Sequence, residues 1–376
     1  MVKKVLNLVI AIVVGFMSMS GVANATSVGE KCSKVGVTRK SSGTTHTCKK
    51  LRKKLVWVQT TATSTNSTTT TSAPAKADGT LWTKYSWTKP ASAAEVIDAA
   101  TISFTSYVST KRSPSGSVKV IAQAGVDATF IDWITKTSDL VAKSFSYPAL
   151  SRQFIDIIAT DRAWFKSTME SNGFSTGEVA NRLAAFDSGS PANGGLTANQ
   201  FNWGVILKNN SMVVKKAEVM HLGGHEFFHA VQAGNAGRDN DPDGAFIPNW
   251  FWEGPAMFVG LQTANNLGLV DYATVGQKVG RDRLNSRADV NVATRKLLLS
   301  QVIANDSKTI DPYGVGQIAT EFLVAKIGVE KMIKIYEEIK TVTSFSNAFK
   351  SATGVELADF YAMFEEVRAT LGATRG

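Results

Sequence analysis

Three of the four histidines in this 376-residue chain, His221, His225 and His229, fall at four-residue intervals, and Glu226 directly follows the middle one. The segment His225-Glu226-Phe227-Phe228-His229 fits H-E-x-x-H. On a helix, positions i and i+4 share a face about one turn apart, so two imidazoles can converge on one tetrahedral cation. Glu226, beside the first imidazole, projects toward the same opening. There it can take a proton from an attacking water and return it to a leaving amine. Phe227 and Phe228 supply apolar packing for the rest of the helix. A catalytic zinc site needs a third protein ligand and an open fourth position. Downstream, Asn249-Trp250-Phe251-Trp252-Glu253-Gly254-Pro255-Ala256-Met257-Phe258 offers a single acid, Glu253, in an aromatic and apolar stretch. A lone carboxylate there is costly to bury unless it is paired or bound to metal. The competing reading is a solvent-facing acid on a first helical turn, where the helix dipole favours it. His221 reads most simply as a cap at the helix start, with ligand support or substrate contact as alternatives. Gly223 and Gly224 each cost roughly 1 kcal/mol inside a helix, so they either mark its start or admit a neighbouring backbone.

These elements resemble the gluzincin metallopeptidases, the group that includes thermolysin-like enzymes and zinc aminopeptidases. The pattern of that group is H-E-x-x-H on one helix and a glutamate on a following helix, often within W-x-x-E-G-x-A. Here the two parts are HEFFH and NWFWEGPAMF. The resemblance implies Zn²⁺ held by His225, His229 and Glu253, with Glu226 as general base and a peptide or protein as substrate. It also implies a zincin-like fold, a mixed sheet followed by a mainly helical C-terminal lobe. His229-Ala230-Val231-Gln232 matches the H-x-x-Q that often continues such helices. In Asp311-Pro312-Tyr313-Gly314-Val315-Gly316-Gln317 the resemblance makes Tyr313 the donor to the developing oxyanion. The alternative for Tyr313 is a ring packed at a helix start. The likeness spans about residues 150–376, with strong motifs over 221–258. Three departures stand out. The gap between His229 and Glu253 is long and polar, Met257 stands where thermolysin-like enzymes carry an aspartate, and the Gly-x-Met-Glu-Asn motif of aminopeptidases is absent. The polar insertion contains Asp239, Asp241 and Asp243 followed by Gly244, the opening of an EF-hand-type loop, but Trp250 stands at its twelfth position. It reads either as a Ca²⁺ site or as an ordinary polar loop.

Positioning these residues requires a core, and residues 80–376 are long enough to build one. Segments 92–106 and 127–144 read as helices, each opened by a residue suited to an N-cap, Ser92 and Asp127. Phe154–Ala159 and Trp203–Leu207 have the length and β-branched content of strands. From Ala217 onward the pattern is helical, broken at 235–249 and near 305–311. Strands first and helices after predict an α+β arrangement.

The first 79 residues read differently. Residues 1–25 open with Lys3 and Lys4, continue through an apolar run and end in Ala23-Asn24-Ala25, which describes a secretory signal peptide and places the mature protein outside the cytoplasm. An uncleaved anchor is the alternative, although Gly15 and Ser18 interrupt a run already near the lower limit for a bilayer span. No later segment is apolar enough to cross a membrane. Residues 26–59 carry both cysteines, Cys32 and Cys48, and read as a small disulfide-closed β module with a turn at Ser42-Gly43. Its nine Lys and Arg residues against one acid, with the two lysines of the signal segment, account for the whole formal charge of +10. The domain beyond is close to neutral, which gives nucleic-acid binding no electrostatic support. The basic module suits an anionic cell-wall or surface polymer, or serves only to solubilise. Residues 60–79 are Thr- and Ser-rich with almost nothing large and apolar, the composition of a flexible tether. Three functional readings result: a secreted zinc peptidase, a zinc-containing descendant without catalysis that binds at the cell surface, and a zinc hydrolase acting on something other than peptides.

Overall fold

The computed structural model describes residues 33–35, 37–41, 44–51, 54–60, 79–110, 118–145, 154–188, 192–197, 200–206, 220–237, 246–303 and 310–373. The signal segment, Cys32, the Ser42-Gly43 turn, residues 61–78 of the tether and the Asp239, Asp241 and Asp243 loop lie outside the described residues. The chain divides into two compact units, Met1–Ser72 and Ala73–Gly376.

In the first unit, strands β1 (Thr38–Ser41), β2 (Thr44–Leu51) and β3 (Lys54–Thr60) form an antiparallel sheet in that order. Alternating Thr, Val and Lys suits a pleated ribbon. Cys48 lies opposite Trp57 in the β2–β3 register and is fully buried.

The second unit is mainly helical around one small sheet. Helices α1 (Thr80–Lys84) and α2 (Ala93–Ser109) come first. Ser92 caps α2 by accepting from the Glu95 amide at 3.2 Å, and Glu95 returns the bond to the Ala91 amide at 2.9 Å. Strand β4 (Val118–Ala122) leads through α3 (Ala128–Ser144), capped by Asp127, to β5 (Phe154–Ala159). Helices α4 (Arg162–Ser171) and α5 (Thr176–Ser188) then precede β6 (Ala192–Thr197) and β7 (Gln200–Ile206).

The sheet order is β4-β5-β7-β6, with β4, β5 and β7 parallel and β6 antiparallel at the edge. The sequence predicts strands first and helices after. The mixed, mainly helical whole is compatible with α+β, and the helix expected at 127–144 is α3. Helices α4 and α5 also lie between strands, because parallel neighbours need a crossover that brings the chain back over a sheet face. All of β5 is buried, and its period of two divides the residues between two cores. Ile155, Ile157 and Ala159 pack with Phe165, Met169, Leu183 and Phe186 of α4 and α5. Phe154 and Ile158 face the main core, where the Phe154 and Phe227 rings lie 4.6 Å apart. Asp156 therefore sits among apolar neighbours on the main-core side.

After the sheet come α6 (Leu222–Ala236), α7 (Asn249–Asn266), a π-helical turn (Tyr272–Gly276), α8 (Gln277–Leu284), α9 (Asp289–Thr294) and α10 (Pro312–Ile339). Gly328, at φ 80°, breaks α10 into two segments. Helices α11 (Phe345–Thr353) and α12 (Leu357–Val367) close the unit. Two backbone crossings hold the helical lobe together. A Cβ on Gly260 of α7 would lie 2.6 Å from the His221 carbonyl oxygen at the start of α6, and one on Gly254 would lie 2.4 Å from the Gly316 carbonyl of α10. Only glycine permits contact this close, so α7 is pressed against α6 on one side and α10 on the other. Among the described residues no helix is long and apolar enough to cross a membrane.

Candidate metal centre

Helix α6 is buried almost throughout, including His225 and Glu226. Phe227 and Phe228 are fully buried, and Phe228 meets Phe145 and Tyr336 edge-on. The helix is thus fixed on three sides, and its i, i+4 spacing turns His225 and His229 to a common point. Their Nε2 atoms are 3.2 Å apart. Glu253, on the second turn of α7, places Oε2 3.5 Å from His225 Nε2 and 3.3 Å from His229 Nε2. It is 5% exposed, so the solvent-facing alternative does not hold.

These three separations allow a fit test. A tetrahedral ion with ligand bonds of about 2.05 Å holds its ligands about 3.35 Å apart. The observed triangle of 3.2, 3.3 and 3.5 Å matches that spacing on every side. His225, His229 and Glu253 form a buried cluster able to hold a metal ion. Two imidazoles and a carboxylate are a donor set suited to zinc.

The electrostatics point the same way. Burial pushes His229 down, but the Glu253 carboxylate beside it outweighs burial and holds the imidazole at about 9. Burial likewise pushes Glu253 up, and the charge of His229, with the two imidazoles 3.3 and 3.5 Å from its Oε2, holds it well below the usual carboxylate range. Without metal the cluster holds a proton among its ligands. The Glu226 charge also raises His229, which places the general-base candidate within electrostatic reach of the cluster.

The tautomer of His229 is set by a chain of contacts that starts at a proline. Pro255 lies inside α7 and has no amide hydrogen, so the carbonyl of Phe251, four residues earlier, loses its helical donor. The Tyr336 hydroxyl of α10 supplies the replacement at 2.6 Å. Having donated to Phe251, Tyr336 accepts from Gln232 Nε2 at 2.8 Å, and the same amide nitrogen donates to the Trp252 carbonyl at 2.7 Å. Gln232 must then turn its carbonyl oxygen, Oε1, toward His229 Nδ1, 2.6 Å away. Nδ1 carries the hydrogen, leaving the Nε2 lone pair for the metal. The Trp252 ring, stacked on His229 at 5.4 Å and 9°, holds the ring plane. His225 has no equivalent support, since its Nδ1 is buried with no hydrogen-bond partner among the described residues. Met257, at the position where thermolysin-like enzymes carry an aspartate, is buried and offers no carboxylate.

The other expected residues fall around this centre. His221 occupies the N-cap position of α6 but makes no capping hydrogen bond with its side chain. Its buried ring stands edge-on to His225 at 5.7 Å, and its carbonyl accepts from the His225 amide at 2.9 Å. His221 stands at the helix start as expected and packs against His225 there. Gly223 admits a neighbouring backbone, since a Cβ there would lie 2.4 Å from the Ile134 carbonyl oxygen. Tyr313 opens α10, where its amide donates to Asp311 at 3.2 Å, and its ring stacks on His225 at 6.0 Å and 25°. It is both packed at a helix start and next to the cluster.

Sequence reasoning missed Tyr336, Trp252 and Asp156. Pro255 was the available signal for Tyr336, because a proline inside a helix leaves a carbonyl that some other donor must reach. Asp156 was visible as the one acid in a strand otherwise apolar. It is fully buried, accepts from Ser138 at 2.9 Å and has no partner for Oδ1 among the described residues. Burial pushes its carboxyl well up, Ser138 partly offsets this, and the Glu226 charge pushes it further. Comparison of the chain with protein-family models, with curated proteins and with solved structures returns no match, so the geometry of the cluster stands by itself.

Proposed function

We propose that this protein is a secreted, gluzincin-type zinc peptidase, with His225, His229 and Glu253 as metal ligands and Glu226 as general base. The observation that carries the reading is the donor triangle at tetrahedral spacing, joined to a glutamate that directly follows the first ligand on the same helix. A non-catalytic metal site has no need of Glu226. When bound, zinc would polarise the scissile carbonyl and make water a stronger nucleophile at neutral pH.

The chain's own residues carry the remaining steps. Glu226 takes a proton from the attacking water as the new C–O bond forms, then delivers it to the amine as the C–N bond breaks. Tyr313, held against His225, donates its phenolic hydrogen to the oxygen that gains charge. Gln232 and Trp252 keep His229 in one orientation throughout. A peptide as substrate is supported by β6, the terminal strand of the sheet among the described residues, which packs along α6. Backbone pairing to a sheet edge is a general way to hold an extended chain. The basic segment 26–59 would hold the enzyme near an anionic cell-wall or surface polymer.

The test combines metal analysis with one isosteric change. The purified full chain is expected to contain one zinc per molecule and to cleave peptides. Glu226→Gln should keep the zinc and lose cleavage by at least about a hundredfold, the scale of general-base catalysis. Protein without zinc, or cleavage that survives Glu226→Gln, would overturn the reading. Zinc retained without any cleavage by the wild type would favour the non-catalytic descendant.

A further inference from the structure

Arg283 has no role in the chemistry above, yet its guanidinium is held in place beside the cluster. Its Nε donates to both oxygens of Asp311, at 3.0 and 2.8 Å, and its Cζ lies 4.5 Å from the centre of the Tyr313 ring. Asp311 is itself fixed, since its amide donates to Thr294 and its carboxylate caps α10 through the Tyr313 amide. Helix α8, which carries Arg283, is docked on α10 by an ion pair between Arg281 and the fully buried Glu321 at 2.8 Å, and Tyr272 donates to the same carboxylate. An arginine on a free stem loses rotamer freedom when it binds, but here that loss is already incurred in the fold. The side chain remains 46% exposed, and its two Nη groups have no hydrogen-bond partner among the described residues. These groups form the parallel N–H fork that matches a carboxylate.

We propose that Arg283 reads a carboxylate on the substrate and so sets a preference for acidic peptides or for free C-termini. This inference rests on the peptidase reading for its substrate class. The separations of 4.5 Å from Arg283 Cζ to the Tyr313 ring and 6.0 Å from that ring to His225 put Cζ at most about 10.5 Å from the centre of the His225 ring. A carboxylate paired with the fork lies about 4 Å beyond Cζ, so at about 3.3 Å per residue of extended chain it falls within roughly four or five residues of a bond held at the cluster. Two sources reach that far: the side chain of an acidic residue, or the terminal carboxylate of a peptide cleaved near its end.

Binding to the zinc-loaded, full-length Glu226→Gln protein separates these sources from each other and from turnover. One pair of N-acetylated Ala/Phe hexapeptides differs only in ending as free acid or amide. A second, amidated pair series carries Glu or Gln at each of the internal positions. A charge-assisted, paired contact predicts roughly tenfold to a hundredfold tighter binding of the carboxylate partner in at least one pair, and that pair identifies the source. Adding Arg283→Gln should reduce the ratio to within about twofold. Adding Arg283→Lys, which keeps the charge without the fork, should leave an intermediate ratio and serves if the glutamine variant does not fold. Equal binding within every pair, or a ratio that survives both substitutions, overturns the proposal. The wild-type chain is assayed for cleavage of the same peptides, and failure there counts against the peptidase reading alone, because binding needs no turnover.

Discussion

Metal uptake by this centre should be a competition with a proton. In the metal-free protein, burial disfavours the His229 cation, but the Glu253 carboxylate at 3.3 Å outweighs it and holds the imidazole at about 9. At pH 7 that group is then about 99% protonated, and a metal must displace the proton to use the Nε2 lone pair. Two units of pH correspond to about 2.7 kcal/mol, so apparent affinity for zinc should rise nearly tenfold per unit above pH 7, about fiftyfold by pH 9, and level off at about a hundredfold above it. The chain has four histidines, which makes the direct assay tractable: an NMR titration of the imidazole resonances in metal-free protein. One resonance should have its midpoint near 9 in the wild type and move down in Glu253→Gln. Calorimetry at pH 7 in buffers of different ionisation enthalpy should count at least one proton released per zinc, and any other group that loses a proton on binding only adds to the count. No imidazole titrating above about 8, together with a count below one half, refutes the reasoning. The same pair shapes the stability of the metal-free protein. His229 is raised from 6.5, so its contribution is complete below pH 6.5 and is lost as pH rises through about 9. Glu253 is lowered from 4.5, so its contribution is present above pH 4.5 and is lost as pH falls. Both shifts express one interaction, worth about 3 kcal/mol at its plateau, and it is counted once.

Three further outcomes can be checked. Gln232→Leu leaves the His229 Nδ1 hydrogen and the Trp252 carbonyl without their partner, so zinc affinity by chelator competition should fall roughly tenfold to a hundredfold, with a lower melting temperature; unchanged affinity would remove the tautomer argument. Gly254→Ala drives a Cβ to 2.4 Å from the Gly316 carbonyl, and urea unfolding should show a loss of about 2 kcal/mol or more. A neutral result there means that α7 and α10 can separate without cost. Asp156 is raised above 3.8 by burial, so it favours the fold only when protonated and its contribution is lost as pH rises. Asp156→Asn should accordingly be at least as stable as the wild type at pH 8, and a clear loss of stability there shows that the charged form is required.

The centre was legible in sequence because its logic is local. His225 and His229 declare themselves by spacing, and Glu253 by being the one acid in WFWEGPAMF. What had to be folded to be seen depends on long-range contacts. Gln232 meets Tyr336 across 104 residues, and nothing near either residue announces the other. Strand β6, Ala192–Thr197, carries two glycines and no strand-like run of β-branched residues, so its edge position comes from pairing with β7 and not from propensity. Phe154–Ala159 was readable as a strand by length and composition. Its parallel neighbours were not, because register between segments separated by whole helices is a tertiary property. Arg283 sits in a charged run of α8 that reads as a solvated helix face, and only Asp311 and Tyr313 distinguish it.

The crossing of Gly254 with Gly316 acts as a fulcrum. Glu253 is one residue from it on α7, and Tyr313 is three residues from it on α10, lever arms of about 1.5 and 4.5 Å along the two axes. For the same tilt about this point, α7 moves Glu253 a little, whereas α10 moves the Tyr313 backbone about three times as far. Glu253 and Tyr313 thus both stand close to one tight contact between the two helices, next to the His225, His229 and Glu253 cluster. Clamping Glu253 onto a metal ion should quiet the first turns of α10, and slower amide exchange there would report binding from a helix that supplies no ligand.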